Sequence, residues 1–273
     1  MIFCFLTKHQ LNYNITSRIV SANNQASWFE TWFDTPLYEK LYANRDMKEA
    51  EYLAELVFKH FPPALFPNVI DIACGRGRHS FNLAKLGYDV TGVDLSERAI
   101  QKANTLKQTV EFAGCIQFKE HDMRLKFEQD FDLAVNLFTS FGYLPDDEGN
   151  SSIFANISHS VKNNGALVVD FLNPGFVSAS LKKKETRKSG EFTVLIERFI
   201  KDNAVHKQMR FIHSKTGEEQ AFSERVKLYK LNWFEAEARK NGLSIIHTYG
   251  SYKGGEYLEN SSPRMIMLFR KSE

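Results

Sequence analysis

Apolar residues along the chain follow two rhythms, and the change from one to the other near residue 174 divides the sequence. Before that point, short runs rich in Val, Ile, Leu and Phe alternate with stretches whose apolar residues recur every three or four positions. The runs at 69–73, 89–93, 116–119, 131–136 and 166–171 read as strands buried on both faces, and 78–86, 96–109 and 147–162 as crossover helices. Ser96 is the expected N-cap of the second helix, and Gly165 lies past the end of the third. Such alternation predicts a doubly wound α/β fold with a mostly parallel sheet. An earlier helix over 46–60 carries Met47, Ala50, Leu53, Ala54 and Val57 on one stripe and is stopped by Pro62 and Pro63.

After Asn173 and Pro174 the pattern switches to period-two alternation in 192–200, 205–213 and 222–231, which predicts an inserted antiparallel β layer. A helix over 233–240, stopped by Asn241 and Gly242, then leads to strands at 243–249 and 264–269. These two return the chain to the first sheet and bring it to seven strands.

The chemistry concentrates at residues 69–80, VIDIACGRGRHS, a strand ending in a glycine turn that opens a helix. Gly75 and Gly77 lack Cβ atoms, so the backbone turns sharply there and a nucleotide-like ligand approaches closely. Ligands of open parallel sheets bind at the carboxyl ends of the strands. Asp94, at the end of the next strand and about twenty residues beyond the glycines, suits ribose hydroxyls. A dinucleotide would present a pyrophosphate, which the Asp71 carboxylate in the first strand would repel, whereas a sulfonium and ammonium ligand suits that charge. Ser80 also stands where the dinucleotide fingerprint has its third glycine.

These residues resemble the class I S-adenosylmethionine-dependent methyltransferases, whose first motif reads acidic-x-Gly-x-Gly-x-Gly, with Ala73 here in place of the first glycine. The resemblance extends over 69–171 and the final helix and strands. It implies a Rossmann-like sheet and S-adenosylmethionine as cofactor. It further implies that Gly75, Arg76 and Gly77 pass the methionine moiety, Asp94 holds the ribose, and Leu95 lies against adenine, with Asp71 and Ala73 also counted among the cofactor-binding residues. Asp122 resembles the family's acceptor for the adenine amino group, with Met123 beside it, and Asn136 and Phe138 open a fourth motif that faces cofactor and acceptor. That motif lacks the Asn-Pro-Pro-aromatic form of enzymes that methylate nucleobase amines, which disfavours a nucleic-acid substrate and points to a small-molecule acceptor.

The aromatic stretch before the first strand resembles the N-terminal lid of small-molecule members, which makes Tyr38 and Arg45 cofactor candidates, although aromatics of this kind also simply pack a lid onto a sheet. The expected organisation is a loose extension at 1–26, a helical lid at 27–64, a methyltransferase domain at 65–174 and 232–273, and the β layer at 175–231, expected to wall the acceptor pocket. His79, His121, Tyr143 and Glu197 are candidate bases, each with an ordinary structural role as the simpler reading, so no catalytic residue is assigned. A nicotinamide-dependent oxidoreductase and a non-catalytic S-adenosylmethionine-binding module stay open as alternatives.

Composition narrows the setting. A formal net charge of +2 is too small for a nucleic-acid surface, and the basic residues Lys182, Lys183, Lys184, Arg187 and Lys188 read as a solvated loop. Cys4, Cys74 and Cys115 have no metal-site spacing and no disulfide framework, which together with the absence of a basic leader or membrane-length apolar run predicts a cytoplasmic protein without metal.

Overall fold

The computed structural model describes residues 27–42 and 47–273; the 1–26 extension and Arg45 lie outside the described residues. A seven-stranded sheet has the order β10 (Leu243–Tyr249), β11 (Arg264–Lys271), β5 (Val161–Leu172), β4 (Phe131–Asn136), β1 (Asn68–Ile72), β2 (Asp89–Asp94), β3 (Ile116–Glu120). β11 runs antiparallel to both neighbours, and the other pairings are parallel. The order reverses between β1 and β4, so the carboxyl ends of β1, β2 and β4 open the crevice where ligands of such sheets bind.

Helices cover both faces. α3 (Met47–His60), α4 (Arg78–Lys85) and α5 (Glu97–Lys107) bury Leu53, Val57, Leu83 and Ile100 on one side; α6 (Asp147–His159) and α8 (Leu231–Lys240) bury Ile153, Phe154, Phe234 and Ala238 on the other. Ser96 caps α5 as expected, its Oγ accepting from Ala99 N at 3.1 Å. α6 ends three residues before its predicted terminus because Val161 pairs with Phe131 in the sheet. α8 begins two residues earlier than predicted, at Leu231.

A second sheet of four antiparallel strands follows α7 (Pro174–Ser180): β6 (Lys184–Ser189), β7 (Phe192–Lys201), β8 (Ala204–His213) and β9 (Glu219–Lys227). β6 corrects the reading of the basic run as a solvated loop: Lys184, Arg187 and Lys188 lie on an edge strand registered from Lys184 opposite Glu197 to Ser189 opposite Phe192. Edge strands commonly carry lysines that discourage further pairing, so a charge run and a strand are compatible here. Val194, Ile196, Met209 and Phe211 form the inner face of this layer, packed against α1 (Trp28–Trp32) and α2 (Pro36–Leu41) through Trp32 and Leu37.

Candidate functional site

The strand β1 delivers the chain into a turn shaped by left-handed residues at alternate positions: Ala73 at φ 59°, Gly75 at φ 56° and Gly77 at φ 81°. Gly75 lines a large cavity, and a Cβ built on it meets no protein atom within 4 Å. The missing side chain leaves open space rather than relieving a clash. Gly77 differs: a Cβ there would sit 2.5 Å from Phe118 Cζ, so this glycine serves packing and does not line the cavity.

Asp94 closes β2 beside the turn. Its Oδ2 accepts from Gly75 N at 2.7 Å and its Oδ1 from Ser96 N at 2.9 Å, fixing the carboxylate at the cavity wall. Burial pushes its carboxyl above the usual range despite these amide donors. Asp71 lies beneath the turn, 1% exposed and absent from the cavity wall, with Oδ2 accepting from Ser80 Oγ at 2.5 Å. Burial, reinforced by the charge of Asp94, raises its carboxyl to about 7. The expectation that Asp71 faces the ligand is therefore corrected to a buried group acting from below, because β1 turns its side chain toward α4.

The cavity has a volume of about 730 Å³, within the roughly 300–1,000 Å³ span of ligand sites. Ala73, Arg76, Leu95, Met123, Phe138 and Tyr38, all named as cofactor candidates from the sequence, line it. Asn136 does not: it is fully buried, its Nδ2 donating to Ile72 O at 3.1 Å and more weakly to Ser140 O, so it braces the ends of β1 and β4. Asp122 lines the cavity but is gripped by Arg124, whose Nε donates at 2.8 Å; burial acts to raise this carboxyl, and the Arg124 bonds outweigh it and hold it below the usual range.

Among the candidate bases, His79, His121 and Tyr143 line the cavity. The Tyr143 hydroxyl donates to Thr139 O at 2.8 Å. Glu197 is corrected: it sits on the outer face of the second sheet, 3.6 Å from Lys184, because the alternation that turns Val194 and Ile196 inward turns Glu197 outward.

The sequence reading expected a lid at 27–64 and a β wall at 175–231 but named none of the ion pairs and hydrogen bonds that fasten the covering elements. α1 and α2 cover it and are tied down by Glu30 to Arg124 at 2.6 Å, Asp34 to Ser96 at 2.5 Å, and Glu39 to Arg98 at 2.9 Å and to Lys102. Opposite, Arg198, Val205, Lys207, Glu224 and Val226 bring the second sheet onto the same cavity that Gly75 and Asp94 line. Arg264 also reaches it, carrying the buried Asp170 as partner at 2.8 Å. A charged residue in the apolar run 166–171 was the available signal for Asp170; nothing in the sequence pairs it with Arg264.

The comparisons with known proteins agree with this geometry. A sequence profile described as a methyltransferase domain matches residues 69–165. An uncharacterized methyltransferase of Schizosaccharomyces pombe is 35% identical over 99 residues, 35% of this chain and 67% of that protein. The dTDP-3-amino-3,4,6-trideoxy-alpha-D-glucopyranose N,N-dimethyltransferase of Streptomyces venezuelae is 26% identical over 231 residues, 80% of this chain and 93% of that one. Two putative methyltransferases, from Bacillus subtilis and a Geobacillus species, are matched over only 41% and 53% of their own length. In structure, an S-adenosylmethionine-dependent methyltransferase from Clostridium acetobutylicum superposes with a TM-score of 0.71 at 20% identity, over 87% of this chain and 97% of that one, a likeness of fold.

The chain belongs to the class I S-adenosylmethionine-dependent methyltransferases. S-adenosylmethionine is accordingly its cofactor, and the open space at Gly75 beside the fixed Asp94 carboxylate is a cradle that fits it.

Proposed function

We propose that this chain transfers the sulfonium methyl group of S-adenosylmethionine to a small-molecule acceptor. The observation that carries the reading is one cavity lined both by Gly75 and Asp94 of the first sheet and by Arg198, Lys207 and Val226 of the second, large enough for cofactor and acceptor together. Bound S-adenosylmethionine supplies an electrophilic methyl carbon on a positively charged sulfur.

The chain's own residues bind, orient and exclude water. Asp94 accepts from ribose hydroxyls through the lone pairs left beside its two amide donors. Leu95 and Met123 would lie against the adenine and Asp122 would accept from its amino group, and Ala73, Gly75 and Arg76 would hold the methionine moiety. Asp71 braces the turn from beneath through Ser80, while Gly77 and Asn136 keep its backbone in shape. Tyr38 belongs to the lid formed by α1 and α2, whose aromatic side chains shut solvent out. Methyl transfer is an in-line displacement, so alignment of acceptor, methyl and sulfur in a water-poor cavity is the main contribution asked of the protein.

A small acceptor is favoured over a polymer because α1, α2 and the second sheet cover the cavity from two sides. The relative from Streptomyces venezuelae, matched over 80% of this chain, is named as an N,N-dimethyltransferase of a dTDP-linked amino sugar, which supports an acceptor of that size. Among the described residues no helix is long and apolar enough to cross a membrane, and Cys74 and Cys115 are unpaired, which supports a cytoplasmic setting.

Calorimetric titration with S-adenosylmethionine, S-adenosylhomocysteine and NADH tests the reading, alongside Gly75→Val and Asp94→Ala. Binding of the first two ligands, weakened at least tenfold in each variant, or about 1.4 kcal/mol, is expected. Binding of NADH alone, or of none, overturns it. Formation of S-adenosylhomocysteine with a pool of small metabolites then separates an enzyme from a binding module.

A further inference from the structure

The inner face of the second sheet carries an arrangement that folding alone does not favour. Arg198 on β7 and Lys207 on β8 are directly opposite in register, and Lys207 is in turn opposite Glu224 on β9. Like charges placed directly across an antiparallel pair are destabilising. Both cations line the cavity, with side chains only 18% and 13% exposed.

Their counter-charges fall short. Arg198 Nη2 reaches Glu185 Oε2 at 2.9 Å, but Glu185 is shared with Arg187 at 2.7 Å and Lys182 at 3.7 Å. Lys207 Nζ lies 3.3 Å from Glu224 Oε2, while the other oxygen of Glu224 accepts from Trp32 Nε1 at 2.8 Å and Tyr42 Oη at 2.7 Å. Four cations therefore share two carboxylates, and the two cations nearest the cavity have water largely excluded. Burial lowers the Lys207 ammonium from its usual range, and the charges of Arg198 and Arg187 lower it further, against the opposing pull of Glu224. The basic run at 182–188, which the cofactor site leaves without a role, supplies two of the four.

We infer that the Arg198–Lys207 rung is an anion subsite of the acceptor pocket, and that the methyl acceptor carries a phosphate or carboxylate group at the end remote from the atom methylated. An anionic group seated between the two side chains supplies the missing counter-charge, accepts their N–H donors, and directs the rest of the acceptor along the cavity toward the Gly75 turn. This rests on the small-molecule reading above.

The test uses the full chain saturated with S-adenosylhomocysteine, so that the cofactor end is filled, titrated with inorganic pyrophosphate and separately with malonate in chloride buffer of constant ionic strength. Saturable binding of one or both is expected, with the stronger of the two distinguishing a phosphorylated from a carboxylated acceptor. Arg198→Gln and Lys207→Met are expected to weaken it at least tenfold while S-adenosylhomocysteine affinity stays within twofold. Glu185→Gln raises the excess charge and is expected to tighten the anion severalfold, a check that stands even where a cation variant does not fold. No saturable anion binding by the loaded protein, or affinity indifferent to all three substitutions, overturns the inference. Failure to bind S-adenosylhomocysteine at all instead overturns the methyltransferase reading beneath it.

Discussion

Arg264 Nε lies 2.8 Å from Asp170 Oδ1, a carboxylate fully buried inside β5, and together these two residues hold the backbone of Phe138 and Thr139. Asp170 Oδ2 accepts from Phe138 N at 2.9 Å and from Tyr252 Oη at 3.1 Å, and Arg264 Nη2 donates to Thr139 Oγ1 at 2.8 Å. Phe138 and Thr139 both have φ of 61°, a conformation costly for residues with side chains, and they line the cavity. The ion pair thus maintains a strained turn at the site.

Asp170→Asn strands a buried guanidinium, so a loss of about 3–5 kcal/mol is expected in urea unfolding. Arg264→Met should cost a similar amount. The double variant should lose measurably less than the sum, because each change already removes the same pair. If the effects add, the pair is not the element that holds the turn.

Asp71 sets a pH dependence of stability. Its carboxyl is raised in the folded chain from 3.8 to about 7, mainly by burial. Below about pH 4 both states hold the proton and the residue contributes nothing. Between about pH 4 and 7 the unfolded chain ionises while the folded chain does not, so stability falls as pH rises and then levels off. Asp71→Asn removes that penalty and keeps an acceptor for Ser80; its advantage should grow from near zero at pH 4 to at most about 4 kcal/mol at pH 8. Urea midpoints of both proteins at three pH values check this.

The three left-handed positions of the turn should respond differently. Gly75→Ala has room for its methyl and should cost only about 1 kcal/mol of stability, yet weaken cofactor binding at least tenfold because the methyl enters the cavity. Gly77→Ala drives a Cβ into the Phe118 ring and should cost about 2–4 kcal/mol. Ala73→Gly, which relieves φ 59°, should be neutral or stabilising by about 1 kcal/mol. Thermal unfolding and cofactor titration of the three variants separate strain from occlusion.

Glu224 fastens the covering helices, since one of its oxygens accepts from both Trp32 and Tyr42. Glu224→Ala should therefore raise amide exchange and protease cleavage across residues 27–42 well before global unfolding, with Glu224→Gln intermediate. Unchanged protection of that segment would show that aromatic packing alone holds it.

The chain by itself determined the fold class and the cofactor end of the site. Strand, glycine turn, helix and second strand are contiguous between Asn68 and Asp94, so local period and spacing suffice to bring Gly75 and Asp94 together. The inserted layer was legible from its alternation, although β6 was hidden by its charges, which an edge strand tolerates. Only the tertiary structure decided which way side chains face and which distant partners meet. Asp71 and Glu197 sit at predicted strand positions but turn away from the cavity, because facing depends on which side of each sheet the covering helices pack. Arg264 and Asp170, 94 residues apart, and Trp32 and Glu224, 192 apart, become neighbours through sheet order and the folding back of α1. Such contacts follow from burial of apolar surface across the whole chain, which no local pattern specifies.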